Sequence, residues 1–391
     1  MIRRLHFLVV LAVLAGIVAL GAIMSRPRRT EGLVLKGKEI RIYGPDYTLA
    51  RLAREIADPQ IFAYDAQKRE GTSKASLVVY GSLQIGDPAD PRPFDPAHGR
   101  REPVERRLGE TLLLDTVVCG DLRIEVARGG ELRVYNSIVQ TVSQVLTADA
   151  CSRGYAFVVE GRLRAADSRF LYMSGLRSVN AGESAEVDLE RVAFAWSDDW
   201  SFRAQRANGA DLHIRDSQFT SEGQFGVLVD GWGGAPVVLR RCELLGKTAD
   251  LALTGRRPSV ELVDCRFTKT KVLFLQRGGR LAVRWTVTVK VVDQRSGQPL
   301  PGVEVAATST GKGPSETVTA RTGPDGTCPL LLTEYVATSE FPARIGDTNN
   351  VTPHRIVATS ASGAALASLA AYDARGLQGV VTLAAPASVS R

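Results

Sequence analysis

Histidine is scarce in this chain, which contains four in 391 residues. The four are far apart in the sequence, and no two have the spacing of a metal site. The chain also lacks the Gly-x-Ser-x-Gly, P-loop and dinucleotide-binding motifs. These absences argue against zinc enzymes, hydrolases with a serine nucleophile elbow and nucleotide-binding enzymes. We therefore expect neither a metal ion nor a cofactor.

Excess positive charge is confined to one end of the chain. The net charge is +7, but five arginines and no acid lie in residues 1–30, which leaves only +2 for the other 361 residues. A body that is nearly neutral has no broad basic face to attract a polyanion. We therefore expect no nucleic-acid partner.

The N-terminus carries an apolar run, residues 7–24, without a charged residue. In a helix this run would span about 27 Å, close to the hydrocarbon thickness of a bilayer. It is longer than the usual apolar core of a signal peptide, although Ala19-Leu20-Gly21 would serve as a cleavage site. Residues 1–30 are therefore predicted to be a transmembrane anchor or a cleaved signal peptide. Either one means export, with the body anchored outside the cytoplasmic membrane or secreted.

Six segments of the chain align with one another without gaps. They share the pattern apolar-x-apolar-x-x-small-x-apolar, and their starts are 31, 24, 25, 25 and 23 residues apart. The segments are Leu132–Val139, Leu163–Phe170, Val187–Phe194, Leu212–Phe219, Val237–Leu244 and Val260–Phe267. The alternation in the first half predicts a strand with one buried face, and the two-residue step predicts a bend.

A weaker strand precedes several repeats, for example residues 227–229 before Gly231. Short strands, a sharp bend and a period near 25 residues predict an all-β fold, a right-handed parallel β-helix over residues 31–285. A short amphipathic helix at about 48–58 is expected to cap its open end. Residues 77–85 are interpreted as the first coil, and the proline-rich segment 87–107 as an excursion loop.

Stacked repeats place equivalent positions in columns, which gives the prediction a test. The columns predicted to point inward contain no charged residue, and they are Ser137, Ser168, Val192, Ser217, Cys242, Cys265 and Val139, Phe170, Phe194, Phe219, Leu244, Phe267. One column predicted to point outward is Asn136, Asp167, Arg191, Asp216, Arg241, Asp264. Its charges alternate in sign over the last five members, as in-register stacking favours. Cys242 and Cys265 are expected to be buried thiols, because about 4.8 Å exceeds the usual Cβ separation in a disulfide.

From residue 286 the pattern changes to longer alternating strands with turn signals, which predicts a small Ig-like or transthyretin-like β-sandwich over 286–391. This part resembles the carboxypeptidase regulatory-like family, whose hallmark is a strand ending in Asp, a Gly-x-Pro-x-x-Gly-x-x-Val stretch and a later Thr-x-x-x-Gly. The matching residues are Asp293, Gly297, Pro299, Gly302, Val305, Thr322 and Gly326. The resemblance implies a non-catalytic adhesion or spacer module.

By its repeat pattern, the region 31–285 also resembles the pectate-lyase-like superfamily, which includes lyases and hydrolases acting on polysaccharides. The local carboxylate pair that would suit such chemistry is Asp198-Asp199. The histidine and basic residues that a polygalacturonase-type hydrolase would add are missing near it, and a calcium-binding set of acids cannot be assembled from stacked positions. Catalysis is therefore uncertain, with Asp198 and Asp199 as the weak catalytic candidates.

Three of the four tryptophans fall within two successive coils, beside acids. Trp196, Trp200 and Trp232, with Asp230, are our candidates for ligand binding. Aromatic rings cover the C–H faces of sugars, and carboxylates accept hydrogen bonds from sugar hydroxyls. The alternative is that the rings only pack under a loop or between coils.

Three functions remain open from the sequence. The chain is most simply an exported, non-catalytic β-helix surface protein that binds or organises polysaccharide, or a partner protein at the cell surface. Alternatively, it is a polysaccharide lyase or glycoside hydrolase with Asp198 and Asp199 as acids, or a purely structural envelope protein.

Overall fold

The computed structural model describes residues 29–30, 32–89, 109–115, 122–142, 155–179, 185–197, 200–207, 209–231, 233–339, 349–360, 363–376 and 379–385. The predicted anchor or signal at 1–30 and the predicted excursion at 87–107 therefore lie almost entirely outside the described residues. Within those ranges, no helix combines the length and apolar character needed to cross a membrane.

The described chain is all-β, as predicted, with a single α-helix. The first part comprises β1 (Arg29–Thr30), β2 (Leu33–Lys36), β3 (Glu39–Ile42), β4 (Tyr47–Thr48), α1 (Leu49–Ile56), β5 (Phe62–Asp65), β6 (Glu70–Ser73), β7 (Ser76–Val79), β8 (Ser82–Ile85), β9 (Thr111–Leu114), β10 (Arg123–Val126), β11 (Glu131–Tyr135) and β12 (Ile138–Thr141).

The repeats continue through the middle of the chain. They comprise β13 (Tyr155–Val159), β14 (Arg162–Ala166), β15 (Arg169–Leu171), β16 (Met173–Val179), β17 (Glu186–Glu190), β18 (Ala193–Ser197), β19 (Trp200–Ala207), β20 (Leu212–Arg215), β21 (Gln218–Ser221), β22 (Phe225–Gly231), β23 (Val237–Arg240), β24 (Glu243–Leu245), β25 (Ala249–Gly255), β26 (Ser259–Val263) and β27 (Val272–Phe274). Short 3₁₀ helices occur at Gly209–Asp211 and Lys269–Lys271.

The last part comprises β28 (Arg280–Asp293), β29 (Glu304–Ser309), β30 (Thr317–Arg321), β31 (Thr327–Thr338), β32 (His354–Thr359), β33 (Ala365–Tyr372) and β34 (Val380–Ala385).

Three large, mostly parallel sheets contain the repeats. Sheet A has the order β1-β2-β3-β7-β10-β13-β16-β19-β22-β25-β27, sheet B runs β31-β28-β26-β23-β20-β17-β14-β11-β8-β4 with β34 beside β28, and sheet C runs β24-β21-β18-β15-β12-β9-β6-β5. From β7 to β26 the chain passes through sheets A, B and C in turn, so each repeat adds one strand to every sheet. A single core lies between the three sheets.

The columns predicted to be buried are buried except at Phe267, the last member of its column, which is only partly buried. Phe170, Phe194 and Phe219 are inaccessible to solvent, and each neighbouring pair of rings stacks with centroids 5.1 Å apart. In the small column, the Ser168 hydroxyl accepts a hydrogen bond from the Ser137 amide at 3.3 Å. The Ser217 hydroxyl links two repeats in the same way, since it accepts a hydrogen bond from the Val192 amide at 3.2 Å. Cys242 and Cys265 occupy the same column as free, buried thiols, as predicted.

The column predicted to point outward forms the bend between sheets B and C. All six of its residues have a positive φ, between 47° and 55°. The two arginines pair with the carboxylate one repeat earlier: Arg191 Nε lies 2.6 Å from Asp167 Oδ1, and Arg241 Nε lies 2.6 Å from Asp216 Oδ1. The alternating signs thus correspond to actual ion pairs across repeats.

The predicted helix is present as α1, with Thr48 as N-cap and a left-handed Ala57 as C-cap. Its apolar residues Leu49, Leu52 and Ile56 are buried, and the helix packs against β4, β5 and β6. Residues 77–85 are not the first repeat, because β3 and β4 already pair in parallel with β7 and β8 one level earlier. This earlier repeat could not be recognised in the sequence, because β4 has only two residues and α1 interrupts the period.

A second core lies beyond the repeats, between β28, β31 and β34 on one side and a four-stranded sheet, β30-β29-β32-β33, on the other. The motif residues shape its turns. The Asp293 carboxylate accepts hydrogen bonds from the backbone amides of Arg295 and Ser296, which lower its pKa. Gly302 takes a positive φ of 72°, which favours glycine.

A buried acid–base contact lies in this second part of the chain. Glu316 accepts hydrogen bonds from the Thr333 amide and hydroxyl at 2.8 and 2.7 Å, and its Oε1 lies 3.1 Å from Nε2 of the buried His354. Burial raises the pKa of Glu316, but the hydrogen bonds from His354 and Thr333 outweigh it and hold the pKa below its ordinary value.

Strand β28 belongs to both parts of the chain. It pairs in parallel with β26 through residues 280–284 and in antiparallel fashion with β31 through 280–290. Where the two parts meet, the buried Glu334 carboxylate accepts a hydrogen bond from Trp285 Nε1 at 2.8 Å and another from Lys269. The predicted boundary at 285/286 therefore falls inside a continuous strand.

Candidate functional site

Two of the residues that the sequence singled out, Trp200 and Asp230, belong to neighbouring strands of sheet A, β19 and β22. From β3 onward, each strand of this sheet has a position at or near its end that precedes the turn into sheet B, and these positions lie side by side because the strands pair in register. We call this set the end row. Its described members are Tyr43, Tyr80, Ala127, Glu160, Val179, Gln205, Asp230, Thr254 and Leu275.

Two of the predicted ligand-binding residues meet in the middle of this sheet, through an arginine that joins them. The guanidinium carbon of Arg203 lies 5.1 Å from the centre of the Trp200 ring, within range of a cation–π contact. Its Nη2 lies 3.5 Å from Asp230 Oδ2. We call Trp200, Arg203 and Asp230, together with the neighbouring Ser201 and Gln205 of β19, the central patch.

Several polar atoms of the central patch are buried and have no hydrogen-bond partner among the described residues. They are Trp200 Nε1, Ser201 Oγ, Arg203 Nε and Gln205 Oε1. A buried donor or acceptor without a partner costs about 1–3 kcal/mol, and most such atoms in proteins are satisfied. Four such atoms on one strand are an unusual concentration of donors and acceptors without partners.

The backbone holds Asp230 in place from the next strand. A Cβ atom on Gly255 would lie 2.5 Å from Asp230 Oδ1 and 2.4 Å from the Gly231 carbonyl oxygen. Gly255 also has a φ of 91°, a conformation that other residues rarely adopt. The carboxylate therefore rests against bare backbone, and any side chain at position 255 would displace it.

The other predicted candidates are not brought into this arrangement by the described structure. Trp196 belongs to β18, while Asp198, Asp199 and Trp232 lie outside the described residues. Their roles stay predictions. Across the described ranges, no group of three or more His, Cys, Asp or Glu side chains is placed to hold a metal ion.

Sequence reasoning missed an aromatic pair at the N-terminal end of the end row. Tyr43 and Tyr80 stack with ring centroids 4.7 Å apart and planes 5° from parallel, and they are 48% and 37% exposed. The signal was present in the sequence, because Ile42-Tyr43-Gly44 and Val79-Tyr80-Gly81 repeat one pattern.

An open groove of about 560 Å³ borders this tyrosine pair at the turn from sheet A to sheet B. Its charged lining includes both signs, Arg128, Arg133, Arg162, Glu131, Glu160 and Glu186. Glycines form its floor because the turns of successive repeats touch: a Cβ on Gly161 would lie 2.4 Å from the Gly130 carbonyl oxygen. Close backbone contact thus keeps the groove clear of side chains.

Comparison with known proteins adds no family to these observations. No protein-family model matches the chain, and no curated protein matches it either.

Proposed function

We propose that residues 31–285 form a right-handed parallel β-helix of the pectate-lyase-like kind, with α1 over its N-terminal end. Support comes from the passage of successive strands through three sheets, the period near 25 residues and the stacked columns. The same proposal assigns residues 286–391 to a carboxypeptidase regulatory-like sandwich. It is supported by the second core and by the turns that Asp293 and Gly302 form.

We further propose that this scaffold is an exported, non-catalytic surface protein that binds or organises polysaccharide through the central patch. The observation that carries the proposal is the set of four buried, unpartnered polar atoms beside an aromatic ring and a carboxylate. Export follows from the N-terminal apolar run, which predicts an anchor or a signal.

The chemistry of the patch suits a sugar. The Trp200 ring provides an apolar surface for the C–H face of a pyranose, and its indole N–H donates to a ring substituent. Asp230 accepts hydrogen bonds from hydroxyls, while the Gln205 carbonyl oxygen offers a second acceptor. Arg203, held between the ring and the carboxylate, fixes their separation. A molecule rich in hydroxyls meets these requirements better than an apolar one.

A glycan array with the full-length chain tests this proposal, together with an assay for the release of reducing ends. We expect binding to at least one polysaccharide, lost in Trp200→Ala and in Asp230→Asn, without release of reducing ends. The matched control is Tyr135→Ala, which removes an aromatic side chain from an outward position of sheet B. Loss of binding in Tyr135→Ala to the same degree would contradict a site at the central patch.

Release of reducing ends that disappears in Asp199→Asn would instead establish a polysaccharide lyase or hydrolase. If neither binding nor product release is found across the array, the proposal is wrong and a purely structural role remains.

A further inference from the structure

A second depression lies on the outer face of sheet A, at the start of β3, β7 and β10. It has a volume of about 570 Å³ and is open to solvent. The residues that give it its character are Lys36, Lys38, Arg41, Arg123, Ser76 and Glu39. Four cations therefore face one carboxylate, in a body whose overall charge is nearly neutral. We call this set the basic depression.

Its arginines are held rigidly by the one acid that they share. Glu39 Oε2 accepts hydrogen bonds from Arg41 Nε at 3.0 Å and Nη2 at 2.7 Å, and Glu39 Oε1 accepts one from Arg123 Nη2 at 2.9 Å. The hydrogen bond and charge of Arg41 hold the pKa of Glu39 below its usual range. Arg123 Nε also lies 3.1 Å from Glu125. The arginines thus form a fixed rim rather than flexible charges.

The two lysines are in a different situation. Lys36 and Lys38 are exposed on the hairpin between β2 and β3, and no hydrogen bond or ion pair within the described residues engages either ammonium group. Gly37 separates them with a φ of 59°, and no atom lies within 4 Å of the position its Cβ would take. Both ammonium groups can therefore turn toward a ligand in the depression.

We propose that the basic depression binds the sulfate or phosphate ester of a polysaccharide. Glu39 already occupies N–H groups of both arginines, so an incoming anion must be held mainly by Lys36 and Lys38. A sulfate or phosphate ester has three terminal oxygens, which can bridge Lys36, Lys38 and the rim at once. Ser76 also lines the depression, and its Oγ accepts a hydrogen bond from the Arg123 backbone amide at 3.0 Å.

The tyrosine pair supplies the part of the site that recognises a sugar rather than a free anion. Tyr43 directly follows β3, four residues beyond Glu39, which corresponds to about 13 Å of extended chain. Its exposed, stacked ring offers a flat surface for a pyranose, and Tyr80 stiffens it. A chain with its ester in the basic depression would lay a following sugar on the ring.

This site is separate from the central patch and does not rest on the function proposed for it. Tyr80, directly after β7, and Asp230 on β22 belong to the same end row, five strand spacings or about 24 Å apart. A long polymer could contact both, but either can bind alone.

Derivatives of one polymer test the proposal with the full-length chain in detergent: dextran, carboxymethyl dextran, dextran sulfate and dextran phosphate, with affinity measured at low and high salt. We expect the sulfate and phosphate esters to bind, and the neutral and carboxymethyl forms to bind at least about tenfold more weakly. The double variant Lys36→Glu/Lys38→Glu should lose about tenfold or more in affinity and show a weaker salt dependence. Tyr43→Ala should weaken dextran sulfate without changing the salt dependence.

The matched control is Lys247→Glu/Lys312→Glu, which makes the same change of charge at exposed lysines away from the basic depression and should alter affinity less than twofold. Unchanged affinity in the Lys36/Lys38 variant would overturn the site, and equal affinity for carboxymethyl dextran would overturn the preference for esters. Competition by millimolar inorganic sulfate as effective as the polymer would reduce the site to one for free anions. Binding to phosphatidylglycerol vesicles in place of dextran sulfate would assign it to lipid headgroups. Loss of central-patch binding in Trp200→Ala leaves all of these outcomes unaffected.

Discussion

Replacing Phe194 by alanine would remove one ring from the middle of a stack. The ring is inaccessible to solvent and touches Phe170 and Phe219 at centroid distances of 5.1 Å on both sides. Truncation of a buried phenylalanine to alanine costs about 3–5 kcal/mol, and each lost aromatic pair adds to the penalty. Neighbouring rings are held by backbone in register, so the cavity cannot collapse. We expect about 4–5 kcal/mol of lost unfolding free energy.

Urea unfolding, followed by circular dichroism and tryptophan fluorescence, measures this loss. Phe194→Leu, which keeps most of the volume, should cost only about 1–1.5 kcal/mol. Phe267 occupies the same column at its end and is only partly buried, so Phe267→Ala should cost about half as much as Phe194→Ala. A cost below about 2 kcal/mol for Phe194→Ala, or one no larger than that of Phe267→Ala, would refute the stacked column as the source of stability.

Three further changes follow from the contacts described. Arg241→Gly should change the free energy of unfolding by less than about 1 kcal/mol, because relief of the positive φ offsets the loss of a half-exposed ion pair. Arg241→Val keeps the positive φ and should cost about 1–2 kcal/mol. Thermal unfolding of both variants checks this. The folded-state pKa of Glu316 lies below its ordinary value of 4.5, so its contribution is present above pH 4.5 and lost as the pH falls through the folded value. Unfolding free energies between pH 3 and pH 6 should therefore fall less in Glu316→Gln than in the unmodified chain. Trp285→Phe should lower the free energy of unfolding by about 1.5–3 kcal/mol, because the buried Glu334 carboxylate loses a hydrogen bond. Urea unfolding measures this loss, with Lys269→Met as the comparison.

The all-β class and the buried columns could be predicted because burial repeats. A position that faces the core in one repeat also faces it in the next. The recurrence of phenylalanine at Phe170, Phe194 and Phe219 therefore indicates that this position is buried. The bend was predictable for the same reason, since a period shift recurs at every outward position such as Asp216. What recurs in space recurs in sequence when the levels have nearly equal length.

The first level could not be predicted because its length differs. Between β3 and β7 the chain forms α1 and an antiparallel pair, β5 and β6, so the spacing of equivalent residues departs from 25. A period search therefore begins one level late, at residues 77–85. At the end of a repeat array the stacking stops, so the terminal residues must cover the last repeat and do not follow the repeat pattern.

The candidate site was predictable only in part. The cluster of Trp200 and Asp230 was found from composition, but Arg203, which joins them, was not, because an isolated arginine on a strand has no sequence signature. The basic depression was missed for another reason. The net charge is a sum over hundreds of residues, so acids elsewhere in the chain cancel a local excess of positive charge such as that of Lys36 and Lys38.

Strand β28 determines how mechanical load passes along the molecule. Most neighbouring domains are joined by flexible linkers, which swivel before they transmit force. Here the same backbone that closes the repeats continues without a break into the second core, with ladders to β26, β31 and β34 along its length. Tension applied to the C-terminal part would therefore shear several hydrogen-bond ladders at once instead of straightening a tether, and the joint would resist both bending and torsion.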